Sequence, residues 1–177
     1  IKNNNSNISN AGRLVLADNV DGLNFKNVVF NGINLAPKTA AYNIFTANNC
    51  TNINLLNNEF NNGSAALWSN SISAVSANIT KNTFYNFSWY GVYNFIANQA
   101  NKTDDFVVKE NTFKRLNTVN PSGAVYSFNA SKIINNSMLD IVGTGNANEA
   151  VIKVEHSSPD VNNTVLIESN NINNCSN

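Results

Sequence analysis

One eight-residue phrase recurs six times along the chain, and it constrains the fold more than any other feature. The copies are Leu23 to Phe30, Ile53 to Phe60, Ala77 to Phe84, Phe106 to Phe113, Ser131 to Met138 and Val165 to Ile172. Their closing apolar residues stand 30, 24, 29, 25 and 34 positions apart. Self-similarity at this period marks a stacked repeat, not an ordinary globular core. Apolar residues dominate the first and third positions of the phrase, which share one face of a strand. In five copies an asparagine stands two places before the closing apolar residue: Asn58, Asn82, Asn111, Asn136 and Asn170.

The asparagine has a physical reason to recur. Its amide both donates and accepts, so side chains stacked at a bend can bond their neighbours and satisfy the backbone of the turn. Asparagine also tolerates the left-handed conformation that tight bends need. Parallel strand pairing supplies rungs about 4.8 Å apart, which such a ladder requires. The phrase therefore predicts an all-β chain: a right-handed parallel β-helix of about six coils with Asn-rich turns, forming one domain over residues 1–177.

Composition is consistent with a narrow apolar tube inside a polar shell. Charge is sparse and balanced, 11 basic against 11 acidic residues. That balance argues against nucleic acid or an anionic membrane as partner. No apolar run approaches membrane-spanning length. The Asn/Ser-rich opening and the abrupt close after the sixth copy suggest part of a longer protein, or ends covered by a partner, since open strand edges invite pairing. Cys50 and Cys175 are separated by four rungs, roughly 19 Å, too far for a disulfide; two free thiols are expected.

A further strand is expected before each phrase, at 13–17, 42–47, 71–76, 91–96, 123–129 and 150–155. Aligned, these place Val75, Phe95, Phe128 and Val154 in one inward column. Asn94, Ser127 and Lys153 then point outward, as do Ile96, Asn129 and Glu155. The connections after each phrase vary in length, and variable loops on a constant scaffold are where such proteins keep recognition.

Two patches could carry function. Residues 149–158 hold the only histidine, His156. Lys153 and Glu155 share one face of the preceding strand, with Glu149 at its start. A lysine, a histidine and two carboxylates in reach could abstract a sugar-ring proton beside a uronate carboxyl group. The alternative is an ordinary exposed ion pair. The second patch is aromatic: Phe84, Tyr85, Phe87, Trp89, Tyr90 and Tyr93, with Trp68 one coil earlier. Such rings could stack on sugar faces, with Asn94 and Asn129 as polar neighbours. They could equally pack onto the coil below.

The repeated phrase resembles that of the pectate-lyase-like superfamily of right-handed β-helices, over nearly the whole chain. A narrower resemblance, to the chondroitinase B and alginate lyase family, rests on Glu149-Ala150-Val151-Ile152, His156-Ser157, Asn170-Asn171-Ile172 and Asn174-Cys175. That resemblance implies β-elimination on a uronic-acid polymer with calcium as assisting ion. Glu149 matches one metal-side glutamate, while Val151 stands where the second belongs. His156 stands at the position of the family's basic lysine, and the family's Arg-His-Gly coil would lie beyond Asn177. The expected protein is thus a secreted, cell-surface or virion-surface β-helix that handles polysaccharide, with catalysis degenerate if the missing groups matter. The rival expectation is a non-catalytic carbohydrate-binding or adhesive β-helix, homotrimeric if it resembles a phage tailspike.

Overall fold

The computed structural model describes residues 13–34, 36–37, 39–71, 76–96, 106–114, 123–128, 131–142, 150–155 and 164–176. These form three parallel sheets of six strands each, joined as a right-handed β-helix. Numbered along the chain, the first sheet stacks β1 (Val15–Asp18), β4 (Phe45–Asn48), β7 (Leu67–Ser71), β10 (Tyr90–Ile96), β13 (Gly123–Phe128) and β16 (Ile152–Glu155). The second stacks β2 (Asn24–Lys26), β5 (Ile53–Leu56), β8 (Ala77–Thr80), β11 (Phe106–Lys109), β14 (Ser131–Ile134) and β17 (Val165–Glu168). The third stacks β3 (Val29–Asn31), β6 (Glu59–Asn61), β9 (Thr83–Tyr85), β12 (Thr112–Lys114), β15 (Ser137–Leu139) and β18 (Asn171–Asn173). A single 3-10 turn, Ala40–Tyr42, is the one helical element among the described residues.

Each repeated phrase is two strands and the bend between them. The residue at the bend is left-handed in every copy: Asn27, Asn57, Lys81, Glu110, Asn135 and Ser169, with φ from 53° to 57°. The ladder asparagine is the next residue, and its backbone is not left-handed. Its side chain runs along the helix axis. Asn82 Nδ2 donates to Leu55 O of the coil on one side at 2.8 Å. Asn82 N and Nδ2 both donate to Asn111 Oδ1 on the other, at 2.8 and 3.1 Å. The same pattern links Asn58 to Asn82, Asn111 to Asn136 and Asn136 to Asn170. In the first coil Val28 takes the ladder position, and only its backbone N–H donates to Asn58 Oδ1.

Inside, like stacks on like. The third sheet contributes Phe30, Phe60, Phe84 and Phe113, all fully buried, with near-parallel rings 4.8, 5.2 and 4.6 Å apart. The second contributes Leu55, Ile79, Val108 and Ile133 in register. In the first, Phe45, Leu67, Val92 and Val125 form the inward column. Both cysteines are free thiols.

The first sheet departs from expectation in two ways. Its third strand is Leu67–Ser71, not 71–76; Ser71 is the only residue common to the two ranges, and Ile72 to Val75 lie outside the described residues. Its register is also one residue off the expected one. Phe95 and Phe128 point outward, with their rings tilted at 49° and 5.3 Å apart, while Asn94 and Ser127 point inward and are buried. A one-residue slip moves a whole strand to the opposite face. The slip is settled by the partners: Val92 pairs with Leu67 and Val125, extending an aliphatic column already in place. Val154 is inward as expected, but it pairs with Ser127 and not with Phe128.

Candidate functional site: the outer face of the first sheet

The outward residues of the first sheet form two parallel columns. One reads Leu16, Thr46, Trp68, Tyr93, Tyr126 and Lys153. The other reads Asp18, Asn48, Asn70, Phe95, Phe128 and Glu155. Trp68 and Tyr93 stack 4.0 Å apart at 6°, and Tyr93 and Tyr126 stack 4.4 Å apart at 9°. The Lys153 ammonium sits 5.7 Å from the centre of the Tyr126 ring and closes the column with a cation–π contact. Trp89 packs obliquely on Trp68 and Tyr93, at 4.7 and 5.3 Å. Tyr90 leans on Tyr93 and Tyr126 at 6.0 and 5.6 Å. Gly123 lets the next coil and the Tyr90 ring approach, since a Cβ there would clash with Ala150 O and stand 2.8 Å from that ring.

The two patches that are separate in sequence are therefore one surface. Lys153 and Glu155, two positions apart on β16, face the same way and pair at 2.6 Å. Tyr126, in register with Lys153 on β13, donates its hydroxyl to Glu155 Oε2 at 2.6 Å. The Lys153 ammonium, then the Tyr126 hydroxyl, hold the Glu155 carboxyl below the usual glutamate range. The converse holds for the phenols. Burial, then the hydrogen bond to Glu155, pushes Tyr126 well above the ordinary tyrosine range, and burial with the Glu155 charge raises Tyr93.

Of the expected site residues, Trp68, Trp89, Tyr90, Tyr93, Lys153 and Glu155 come together here. Trp68 belongs to a strand and not to the connection in which it was expected. Asn94 is corrected: it faces the interior and is fully buried, because the register places Tyr93 and Phe95 outside. His156, Asn129 and Glu149 lie outside the described residues. Tyr126 was missed, although the sequence carried a signal. Tyr93-Asn94-Phe95 and Tyr126-Ser127-Phe128 repeat the same Tyr-x-Phe pattern on successive rungs.

The arrangement limits the chemistry. Tyr93 is covered on both faces by Trp68 and Tyr126, so it presents its edge outward and not a flat platform. Phe84 and Phe87 are core residues; Tyr85 is exposed at 37%. A calcium ion wants six or more oxygen ligands. The one carboxylate in the described cluster, Glu155, is already engaged by Lys153 and Tyr126, and no group of three His, Cys, Asp or Glu residues gathers among the described residues. Glu149, the residue that the family resemblance places beside calcium, lies outside the described residues. No protein-family model, curated protein or solved structure matches the chain.

Proposed function

We propose that the chain is an extracellular or surface-displayed β-helix that binds polysaccharide along the outer face of its first sheet. The supporting observation is the uninterrupted stripe from Trp68 through Tyr93 and Tyr126 to Lys153 and Glu155. An extended glycan laid along the helix axis would meet a new rung about every 4.8 Å. Trp68 and Tyr93 are half-buried and offer aromatic edges, Tyr126 is buried at 6% exposure, and the rung beyond it offers a charged pair. A rigid β-sheet holds these groups without an ordering cost at binding.

Among the described residues, binding fits this geometry better than β-elimination does; His156, the first candidate base, lies outside them. A base for the C5 proton must be free to accept it. The Lys153 ammonium is committed to Glu155, and Glu155 accepts from both Lys153 and Tyr126. The lyase reading keeps one support: a tyrosine hydroxyl and an ammonium both lie within hydrogen-bond reach of one carboxylate, Glu155.

Affinity electrophoresis in gels containing alginate, chondroitin, dermatan or pectin tests the proposal, with absorbance near 235 nm followed in parallel for unsaturated product. Retarded migration on one polymer, weakened at least several-fold in Trp68→Ala and Tyr93→Ala variants of retained fold, is the expected result. Normal migration in every gel rejects polysaccharide binding. A rise in absorbance that disappears in a Lys153→Ala, His156→Ala double variant establishes the lyase instead.

A further inference from the structure

Three successive rungs of the first sheet carry polar side chains into the bore. Ser69, Asn94 and Ser127 are in register and point inward. They are 1%, 0% and 0% exposed. Ser69 Oγ, Ser127 Oγ and both amide atoms of Asn94 have no hydrogen-bond partner. The column is closed at one end by Ala47 and at the other by Val154. Buried polar atoms are almost always paired, with protein or with ordered water.

The spacing explains why these groups do not pair with one another. Side chains on a strand face project across the helix axis, so equivalent atoms on successive rungs stay about 4.8 Å apart. That exceeds the reach of a hydrogen bond, about 3 Å. The ladder asparagines escape this limit because their side chains run along the axis at a bend, and they bond directly at 2.8 to 3.1 Å. A single water about 2.8 Å from each of two atoms 4.8 Å apart would subtend about 118°, close to its preferred geometry. The donor inventory also closes. The Asn94 amide can donate to a water on one side and accept from a water on the other, and each serine hydroxyl can do either.

We infer that the bore holds two internal waters, one between Ser69 and Asn94 and one between Asn94 and Ser127. They form a short polar file along the inner face of the first sheet. Ser131, in the same coil as Ser127, is also buried with its hydroxyl unpartnered, and adds a polar group to that coil's interior. Internal waters of this kind are fixed structural components that bridge buried polar groups.

A crystal structure of the whole chain at a resolution that shows ordered water tests this directly. Density is expected in both gaps, within about 2.7–3.2 Å of the serine and amide atoms. Ser127→Ala should remove the water on its side and leave the other. Asn94→Leu, similar in shape and apolar, should remove both. Magnetic relaxation dispersion of water oxygen should lose the matching long-lived molecules in solution. A gap empty of density in the unsubstituted chain, or an Asn94 amide bonded to protein instead, overturns the inference. The unsubstituted structure decides the question alone if the variants do not fold.

Discussion

At the residue scale, the asparagines divide into two jobs that the sequence does not separate. The bend residue must be left-handed, and asparagine fills that place in Asn27, Asn57 and Asn135 because its side chain lowers the steric penalty. Lys81, Glu110 and Ser169 fill it too, so the bend tolerates other residues. The next position does not need a special backbone; it needs an amide. Asn111 accepts from Asn82 N and Nδ2 and donates to Ile79 O at 2.8 Å, all out of contact with solvent. Asn111→Ala would remove four buried side-chain hydrogen bonds and strip the Asn82 backbone N–H of its acceptor, at about 1–3 kcal/mol for each group left unsatisfied. Urea unfolding should show a loss of about 3 kcal/mol or more. A loss below about 1 kcal/mol would mean the ladder is incidental to stability.

At the scale of the element, β13 and β16 act as a pair. Tyr126 and Glu155 are diagonal neighbours across two rungs, and neither strand alone would tune the other's titration. Glu155 titrates below the usual glutamate range in the folded chain. Its contribution to stability is therefore complete above the unfolded value, about 4.3, and is lost as pH falls through the lower folded value. Tyr93 and Tyr126 are shifted the other way. Their contribution is complete below about 10 and is lost as pH rises above it. In Tyr126→Phe, the Glu155 carboxyl resonance should titrate at higher pH than in the parent, though still below an ordinary glutamate because Lys153 remains. An unchanged midpoint would show that the Tyr126 hydroxyl does not act on Glu155 in solution.

At the scale of the whole molecule, stability is a sum over stacked coils, each touching its neighbours. The central coils are closed on both sides: Phe60, Ile79, Phe84, Val108 and Phe113 are fully buried. In β17 and β18 the equivalent inward residues Val165, Ile167 and Ile172 are 38%, 51% and 49% exposed. Local opening should follow that gradient. Amide hydrogen exchange is expected to be slowest in β8, β9, β11 and β12, and faster by at least an order of magnitude in β17 and β18. Uniform protection across all six rungs would show that the molecule opens only as a unit.

The sequence alone determined the architecture, because a β-helix writes its period into the chain. One apolar column per sheet recurs through the coils and one amide at the bend in five of the six, and the phrase carries both with Asn58, Asn82, Asn111, Asn136 and Asn170 in constant register. The second and third sheets were legible for this reason. The first sheet was not, because both of its faces are rich in large apolar side chains. Val92, Tyr93 and Phe95 give no alternation that marks inside from outside, and Asn94 reads as a surface residue although it is buried. Only the stacking of Val92 between Leu67 and Val125 chooses the register. That choice turned Tyr93 and Tyr126 outward beside Lys153 and Glu155. It also sent Ser69, Asn94 and Ser127 into the bore. The surface stripe and the buried polar file are two faces of one register, set by contacts between coils 22 to 33 residues apart.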